Sequence, residues 1–277
     1  MRLSATSRVR TYDGHTFVSP VARAEAGLLD YVTVTGRAER DGATRVNTVE
    51  AGARLAPLSF VEFAAVAERR VAPKIAGVQG SVTSARAEAA LRIGRVSLIG
   101  GAIHRDSTSM TVPFVYYDNL AQGPLTPVGT ALGAFGGLRG KIYKDVGIDA
   151  MATRWSSKAI MRPAAEARGE LYVRTKWLTK FPRGQFGLNA TAIYEYRSAT
   201  QFRTDGDISG NAWATSATGT TQASGSSSAS TLIEVRIERA VVSWQYRNII
   251  GANRALVPGY LMPRQTNIYG VRWDFFN

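Results

Sequence analysis

The sequence predicts an all-β fold, a transmembrane antiparallel up-and-down β-barrel of about fourteen strands. Three observations lead there. Apolar and polar residues alternate with a period of two over segments of roughly ten residues, the pattern of strands with one apolar and one polar face. Aromatic residues gather toward the ends of those segments. Short connections alternate with long ones, as they do in the barrels of bacterial outer membranes.

Taken in order, strands are expected near 2–12, 16–28, 30–40, 43–55, 58–71, 78–93, 95–106, 129–142, 146–157, 164–177, 185–203, 230–238, 240–248 and 266–276. Four of them show the alternation plainly. In the sixth, Ala85, Ala87, Ala89, Leu91 and Ile93 alternate with Ser84, Arg86, Glu88, Ala90 and Arg92. In the tenth, Ala165, Ala167, Gly169, Leu171, Val173, Thr175 and Trp177 oppose Glu166, Arg168, Glu170, Tyr172, Arg174 and Lys176. The eleventh sets Phe186, Leu188, Ala190, Ala192, Tyr194 and Tyr196 against Gly187, Asn189, Thr191, Ile193, Glu195 and Arg197, and the twelfth sets Ile233, Val235 and Ile237 against Glu234, Arg236 and Glu238.

A soluble antiparallel sandwich also alternates apolar with polar. Segment length favours the membrane: soluble strands run nearer five or six residues, whereas a tilted strand needs roughly 9–11 to cross a bilayer. The aromatics Trp177, Phe181, Tyr194, Tyr196, Trp244, Tyr246, Trp273 and Phe275 stand where a membrane barrel places its interfacial girdles. Of these, Trp177, Tyr194, Tyr196, Trp244, Tyr246 and Trp273 are the expected membrane-interface residues. The expected lumen-facing residues are Arg86, Glu88, Arg92, Glu166, Arg168, Glu170, Arg174, Glu195, Arg197, Glu234 and Arg236. There, neighbouring strands can pair opposite charges across the wall.

With the C-terminus taken as periplasmic, the turns expected on that side are short: Ala56-Pro57, Gly94, Lys144-Asp145, Thr179 to Gly184, and Glu238-Arg239. The opposite side carries Asp106 to Thr130, Thr204 to Ala229 and Ile249 to Gln265. The Gly/Ser-rich stretch Ser216 to Ser230 has too little apolar surface to order itself, and reads as a mobile surface loop within one barrel.

Composition closes other routes. The 34 Lys and Arg against 21 Asp and Glu give a formal charge of +13, but the charges are dispersed, without the run that makes a nucleic-acid-binding arm. There is no Cys, hence no disulfide or thiolate site. No apolar run approaches the roughly 20 residues of a membrane helix. The excess of Arg has three explanations of equal standing: a preference for anionic solutes, contact with acidic lipid headgroups, or complementarity to an acidic plug.

Residues of the types that carry chemistry elsewhere have structural explanations here. His15 lies in the turn Asp13-Gly14-His15-Thr16, without partners at metal-ligand spacing. His104 with Asp106 lacks a Ser in a strained nucleophile turn. The Gly-rich stretch Gly133 to Gly140 before Lys141 departs from a phosphate-binding loop at Phe135 and Ile142. Small residues on a barrel wall, where strands bend or meet a plug, account for it better. No enzyme is expected, and no cofactor.

The stretch from Ser230 to the end carries a family resemblance. Ser230 to Gly251, ending Tyr246-Arg247-Asn248-Ile249-Ile250-Gly251, resembles the penultimate hairpin of TonB-dependent receptors. Val257-Pro258-Gly259-Tyr260-Leu261-Met262-Pro263-Arg264-Gln265-Thr266 is similar to the loop before that family's last strand, with Arg264 where Gly is usual. Asn267 to Asn277 resembles its terminal strand, in which Gly270, Trp273, Phe275 and Phe276 match the assembly signal read by the barrel assembly machinery.

The resemblance implies a wall segment of a plugged barrel of roughly 22 strands, in the outer membrane of a Gram-negative cell, in contact with lipid and lipopolysaccharide. It implies import of a scarce nutrient, a siderophore, cobalamin or glycan, with TonB acting through a plug not present in these residues. Residues 1–8 have no apolar core and are no signal peptide, so the chain is expected to begin inside a longer parent. The competing readings are a passive porin-like channel with anion preference and a soluble β-sandwich binding module.

Overall fold

The computed structural model describes residues 1–12, 14–71, 81–106, 108–111, 125–156, 162–204, 219–252, 254–257 and 260–273. Its strands in chain order are β1 (Arg2–Tyr12), β2 (His15–Leu29), β3 (Val32–Arg40), β4 (Asn47–Leu58), β5 (Val61–Val71), β6 (Ser81–Ile93), β7 (Val96–Arg105), β8 (Thr108–Thr111), β9 (Leu125–Val128) and β10 (Ala131–Tyr143). There follow β11 (Val146–Trp155), β12 (Ala165–Thr175), β13 (Phe186–Arg197), β14 (Thr200–Thr204), β15 (Gly219–Ala223), β16 (Ser226–Ile237), β17 (Ala240–Arg247), β18 (Arg254–Val257), β19 (Tyr260–Met262) and β20 (Thr266–Trp273).

Fourteen of these make one antiparallel up-and-down sheet in the order β1-β2-β3-β4-β5-β6-β7-β10-β11-β12-β13-β16-β17-β20. The expected number of long strands and their positions agree with this sheet. The six remaining strands form three two-stranded ribbons, β8-β9, β14-β15 and β18-β19, inside the three longest connections. The segment expected as one strand over 185–203 is therefore two: β13 stops at Arg197, and the chain leaves the sheet to form β14 against β15. The Gly/Ser-rich stretch is also more regular than expected, since Gly219–Ala223 pairs with Thr200–Thr204 and β16 already begins at Ser226. A ribbon satisfies its backbone groups without an apolar face, which is why hydropathy does not reveal it.

Connections differ at the two ends of the sheet. At one rim the links are Asp30–Tyr31, Ser59–Phe60, Gly94–Arg95, Lys144–Asp145, 176–185 and Glu238–Arg239. At the other they are 13–14, 41–46, 72–80, 106–130, 156–164, 198–225 and 248–265. The turn expected at Ala56-Pro57 sits further on, at Ser59–Phe60, because β4 continues through an irregularity between Leu55 and Leu58. Proline lacks an N–H for the ladder, and the register shift there accommodates Pro57.

The sheet does not close on itself. Among the described residues β1 pairs only with β2 and β20 only with β17. It is an open wall with two edges rather than a complete barrel.

Candidate functional site: the polar face of the wall

Direct cross-strand partners share a face, so the register sorts side chains across the whole sheet. One continuous row runs Arg23↔Arg37↔Glu50↔Glu68↔Ser84↔Arg105↔Ala131. Another runs Arg92↔Ser97↔Arg139↔Asp149↔Glu170↔Ile193↔Ser230. The register puts Arg86, Glu88, Arg92, Glu166, Arg168, Glu170, Arg174, Glu195, Arg197, Glu234 and Arg236 on this same polar face.

Several of them meet. Arg86 pairs with Glu88 at 2.7 Å, and Arg168 reaches Glu195 at 3.7 Å and Glu170 at 3.9 Å. Arg174 lies 3.9 Å from Glu170 and donates to Asn189 Oδ1 at 3.3 Å, and Asn189 Nδ2 donates to Glu234 Oε2 at 2.7 Å. Glu166 stands opposite Arg197, whose Nε donates to Thr200 Oγ1 at 3.1 Å. Arg236 turns to the short-turn rim, its Nε donating to the Glu238 carbonyl at 3.2 Å. Bidentate pairs that the sequence did not single out extend the lattice: Arg54 with Glu62 at 2.6 and 2.8 Å, and Arg139 with Asp149 at 2.8 and 3.3 Å. Arg37 pairs with Glu39, and Arg70 with Glu68. Solvated pairs of this kind contribute about 0–1 kcal/mol each. They add little to stability, but they order a wet, charged surface.

Burial is one-sided, and the buried side chains are small, hydroxyl-bearing or apolar rather than charged. Within the fourteen-stranded sheet, every buried residue among those described lies on the polar face: Ser19, Val21, Ala131, Gly133, Phe135, Gly147, Trp155, Thr191 and Ser228. On β10 the alternation is complete for three pairs, Ala131, Gly133 and Phe135 being buried while Leu132, Ala134 and Gly136 are exposed. The other face carries exposed Leu3, Val49, Leu91, Leu171, Tyr269 (72%) and Val271 (74%). Side chains crowd on the concave side of a curved sheet and splay on the convex side, so the wall curves toward its charged face.

Large side chains on the polar face lie over glycines of neighbouring strands. A Cβ on Gly101 would stand 2.6 Å from Phe135 Cζ, one on Gly133 would stand 2.8 Å from Trp155 Cε3, and one on Gly137 would stand 3.0 Å from Met151 Sδ. The Gly-rich stretch from Gly133 thus makes room for rings and a thioether, not for a phosphate. Between β11 and β16 the same face holds a concavity of about 320 Å³, with Thr153, Glu166, Arg168, Glu195, Arg197 and Ser228 around it.

The predicted aromatics fall into three groups. Trp177 lies in the 176–185 turn and packs with Phe181 and Phe186 at ring distances of 6.5 and 5.9 Å. Tyr194 and Tyr196 lie on the apolar face near the long-connection end of β13. Trp244 stacks with Tyr246 at 6.5 Å and with Tyr269 at 6.2 Å. Trp244 stands midway along the β17–β20 pairing, not at a strand end as the sequence suggests, while Trp273 is at the short-turn end, opposite Ala240. Of the C-terminal residues, Gly270 and Trp273 are in β20, and Phe275 and Phe276 lie outside the described residues.

His104 Nε2 and Asp106 Oδ1 are 2.9 Å apart, and Asp106 Oδ2 accepts the Thr83 amide at 3.0 Å. The bond from Thr83 ties the end of β7 to β6. Among the described residues no three His, Asp or Glu gather as a metal site.

No family model matches the sequence, and no curated protein matches it. Solved structures do. The FrpB iron transporter from Neisseria meningitidis (F3-3 variant) superimposes with a TM-score of 0.60 at 11% identity, covering 98% of this chain and 46% of that one. The pyoverdine outer membrane receptor FpvA from Pseudomonas aeruginosa PAO1, bound to pyoverdine, gives 0.59 at 10% identity, covering 94% and 42%. The siderophore receptor PirA from Acinetobacter baumannii gives 0.57 at 12% identity, covering 96% and 47%. The chain shares their fold, an antiparallel up-and-down sheet like the barrel domains of TonB-dependent receptors, and spans less than half the length of each.

Proposed function

We propose that this chain is part of the membrane wall of a TonB-dependent outer-membrane receptor that imports a scarce nutrient. The observation that carries this reading is the sidedness of the sheet, with the ion pairs and every buried residue described in it on one face and the Leu, Val and aromatic rows exposed on the other. In water an uncovered apolar face of this extent is a liability. In a bilayer it is the face that lipid covers, and the charged residues line a wet interior.

The open edges fit the same reading. Unpaired N–H and C=O groups cannot rest in hydrocarbon, so strands outside this sheet pair with β1 and β20 in the membrane. A plug held inside would meet the polar face and couple to TonB, and β20, with Gly270 and Trp273, would be recognised by the assembly machinery. Lipopolysaccharide and lipid would cover the opposite face. The siderophore and iron named for the structural neighbours make an iron complex the first nutrient to test.

The Arg excess favours one alternative, a passive channel for anions. Uptake of radiolabelled ferric siderophores by cells with and without the gene, in wild-type and TonB-deficient backgrounds, separates the two. The receptor reading expects uptake that needs both the gene and TonB. Gene-dependent flux of small anions that persists without TonB contradicts it.

A further inference from the structure

Positive charge is unevenly divided between the two rims. The six short connections hold Arg95, Lys144, Lys176, Lys180, Arg183 and Arg239 against three Asp or Glu, whereas the seven long connections hold seven Lys or Arg against six Asp. Among the described residues none of the six short-turn cations forms an ion pair. Backbone bonds lay their turns side by side. The Lys141 amide donates to the Arg95 carbonyl at 3.1 Å, the Arg174 amide to the Asp145 carbonyl at 3.0 Å, and the Glu238 amide to the Gln185 carbonyl at 2.6 Å. The six cations therefore lie along one strip of the rim.

Two of them rest on rings of the apolar face. Lys144 Nζ lies 5.2 Å from the centre of the Tyr143 ring, and Tyr143 is paired opposite Val146 and is 63% exposed. Lys180 Nζ lies 5.4 Å from the centre of the Trp177 ring, which is 47% exposed and packs against Phe186. Tyr and Trp settle at the level of lipid headgroups, so an ammonium held on such a ring sits at the depth of the phosphates. The turn geometry adds a second mark. Lys144 takes the first position of the two-residue link between β10 and β11 at φ 36°, in the left-handed region that Gly94 occupies at φ 61° between β6 and β7. Glycine would hold that backbone with less strain, but only a lysine puts a cation at the tip of the hairpin.

We infer that this strip binds the headgroups of acidic phospholipids in the leaflet on the short-turn side, with phosphates meeting Lys144, Lys180 and Arg183 beside the Tyr143 and Trp177 rings. The inference rests on the membrane reading of the apolar face. Charge complementarity selects the occupant, since each cation close to an anionic surface adds to the attraction. A soluble acidic protein would need these charges turned away from the bilayer, whereas the two rings hold Lys144 and Lys180 toward it.

Electron paramagnetic resonance of spin-labelled lipids tests this, with the protein expressed from its whole gene and reconstituted in vesicles of equimolar phosphatidylcholine and phosphatidylglycerol. Labelled phosphatidylglycerol is expected to be restricted at the protein surface about 3-fold or more in preference to labelled phosphatidylcholine, and raised salt is expected to weaken that preference. The triple variant Lys144→Gln, Lys180→Gln, Arg183→Gln is expected to lose most of it. An equal loss of charge on the long-connection side, Arg8→Gln, Arg10→Gln, Arg45→Gln, is expected to leave it unchanged. Lys144→Gly is expected to lower the preference while stability in denaturant unfolding is kept or raised. Equal restriction of the two lipids by the unaltered protein overturns the inference and leaves the strip to an acidic protein partner. An equal fall in the two triple variants also overturns it, because diffuse net charge then accounts for the attraction. If neither lipid is restricted, the apolar face meets no lipid, and the membrane reading fails together with this inference.

Discussion

On β10, Gly133 and Gly136 differ in what a methyl group would meet. At Gly133 it would press on the Trp155 ring at 2.8 Å, whereas at Gly136 its nearest neighbour is the Ile99 carbonyl oxygen at 3.9 Å. Gly133→Ala is therefore expected to destabilise the wall by about 1–3 kcal/mol through overpacking. Gly136→Ala is expected to be near neutral, or slightly stabilising by restricting the unfolded chain. Denaturant unfolding in lipid or detergent measures both, and equal effects would remove the role assigned to the ring. These contacts were not legible in the sequence. Period two assigns Phe135 and Trp155 to a face, but only the register reveals that Arg86 lies over one and Arg105 over the other. Alternation of Gly133 and Gly137 with a large residue at Phe135 was the available signal.

Turns show what fixes the ends of the elements. In the 41–46 connection, Asp41 Oδ1 accepts the amides of Ala43 at 2.9 Å and Thr44 at 2.8 Å, and the Asp41 amide donates to the Val46 carbonyl at 2.8 Å. Gly42 donates to Ser19 Oγ at 3.0 Å, holding the turn against β2. The Thr44 amide bond is the main reason Asp41 titrates below its ordinary value, with Arg10 a smaller aid. The folded pKa is depressed, so the stabilisation is complete above the unfolded value of about 3.9 and is lost as pH falls through the folded value. A carboxyl titration followed by NMR should place the Asp41 midpoint below about 3.9, with the Ala43 and Thr44 amides shifting in step. A midpoint at or above that value contradicts the turn geometry. At this scale the sequence was most informative for the long strands, since each carries its own amphipathic record. It missed β8-β9, β14-β15 and β18-β19, which are held by backbone bonds and leave no such record.

Across the whole molecule, register joins the polar faces of separate strands. The alternation read from single strands becomes one continuous charged surface once the fourteen strands are in register, and the buried residues described in the sheet lie on that side. The strand number was also legible in the alternation, whereas the expectation of a larger barrel came only from the C-terminal resemblance, because nothing within a strand records whether its sheet closes. The shared fold with solved outer-membrane receptors covers less than half of each. The central claim is that the exposed apolar rows meet lipid and the crowded charged rows meet water. Since the chain has no cysteine, nitroxide labels can be placed one at a time on introduced thiols from Glu166 to Arg174 in bilayer-reconstituted protein. Collision with oxygen, which concentrates in hydrocarbon, is predicted to peak at Ala167, Gly169, Leu171 and Val173. Collision with a water-soluble nickel chelate is predicted to peak at Glu166, Arg168, Glu170, Tyr172 and Arg174. If the Ala167 and Leu171 series is shielded from both reagents, or meets the nickel chelate, the apolar face does not contact lipid and the account fails.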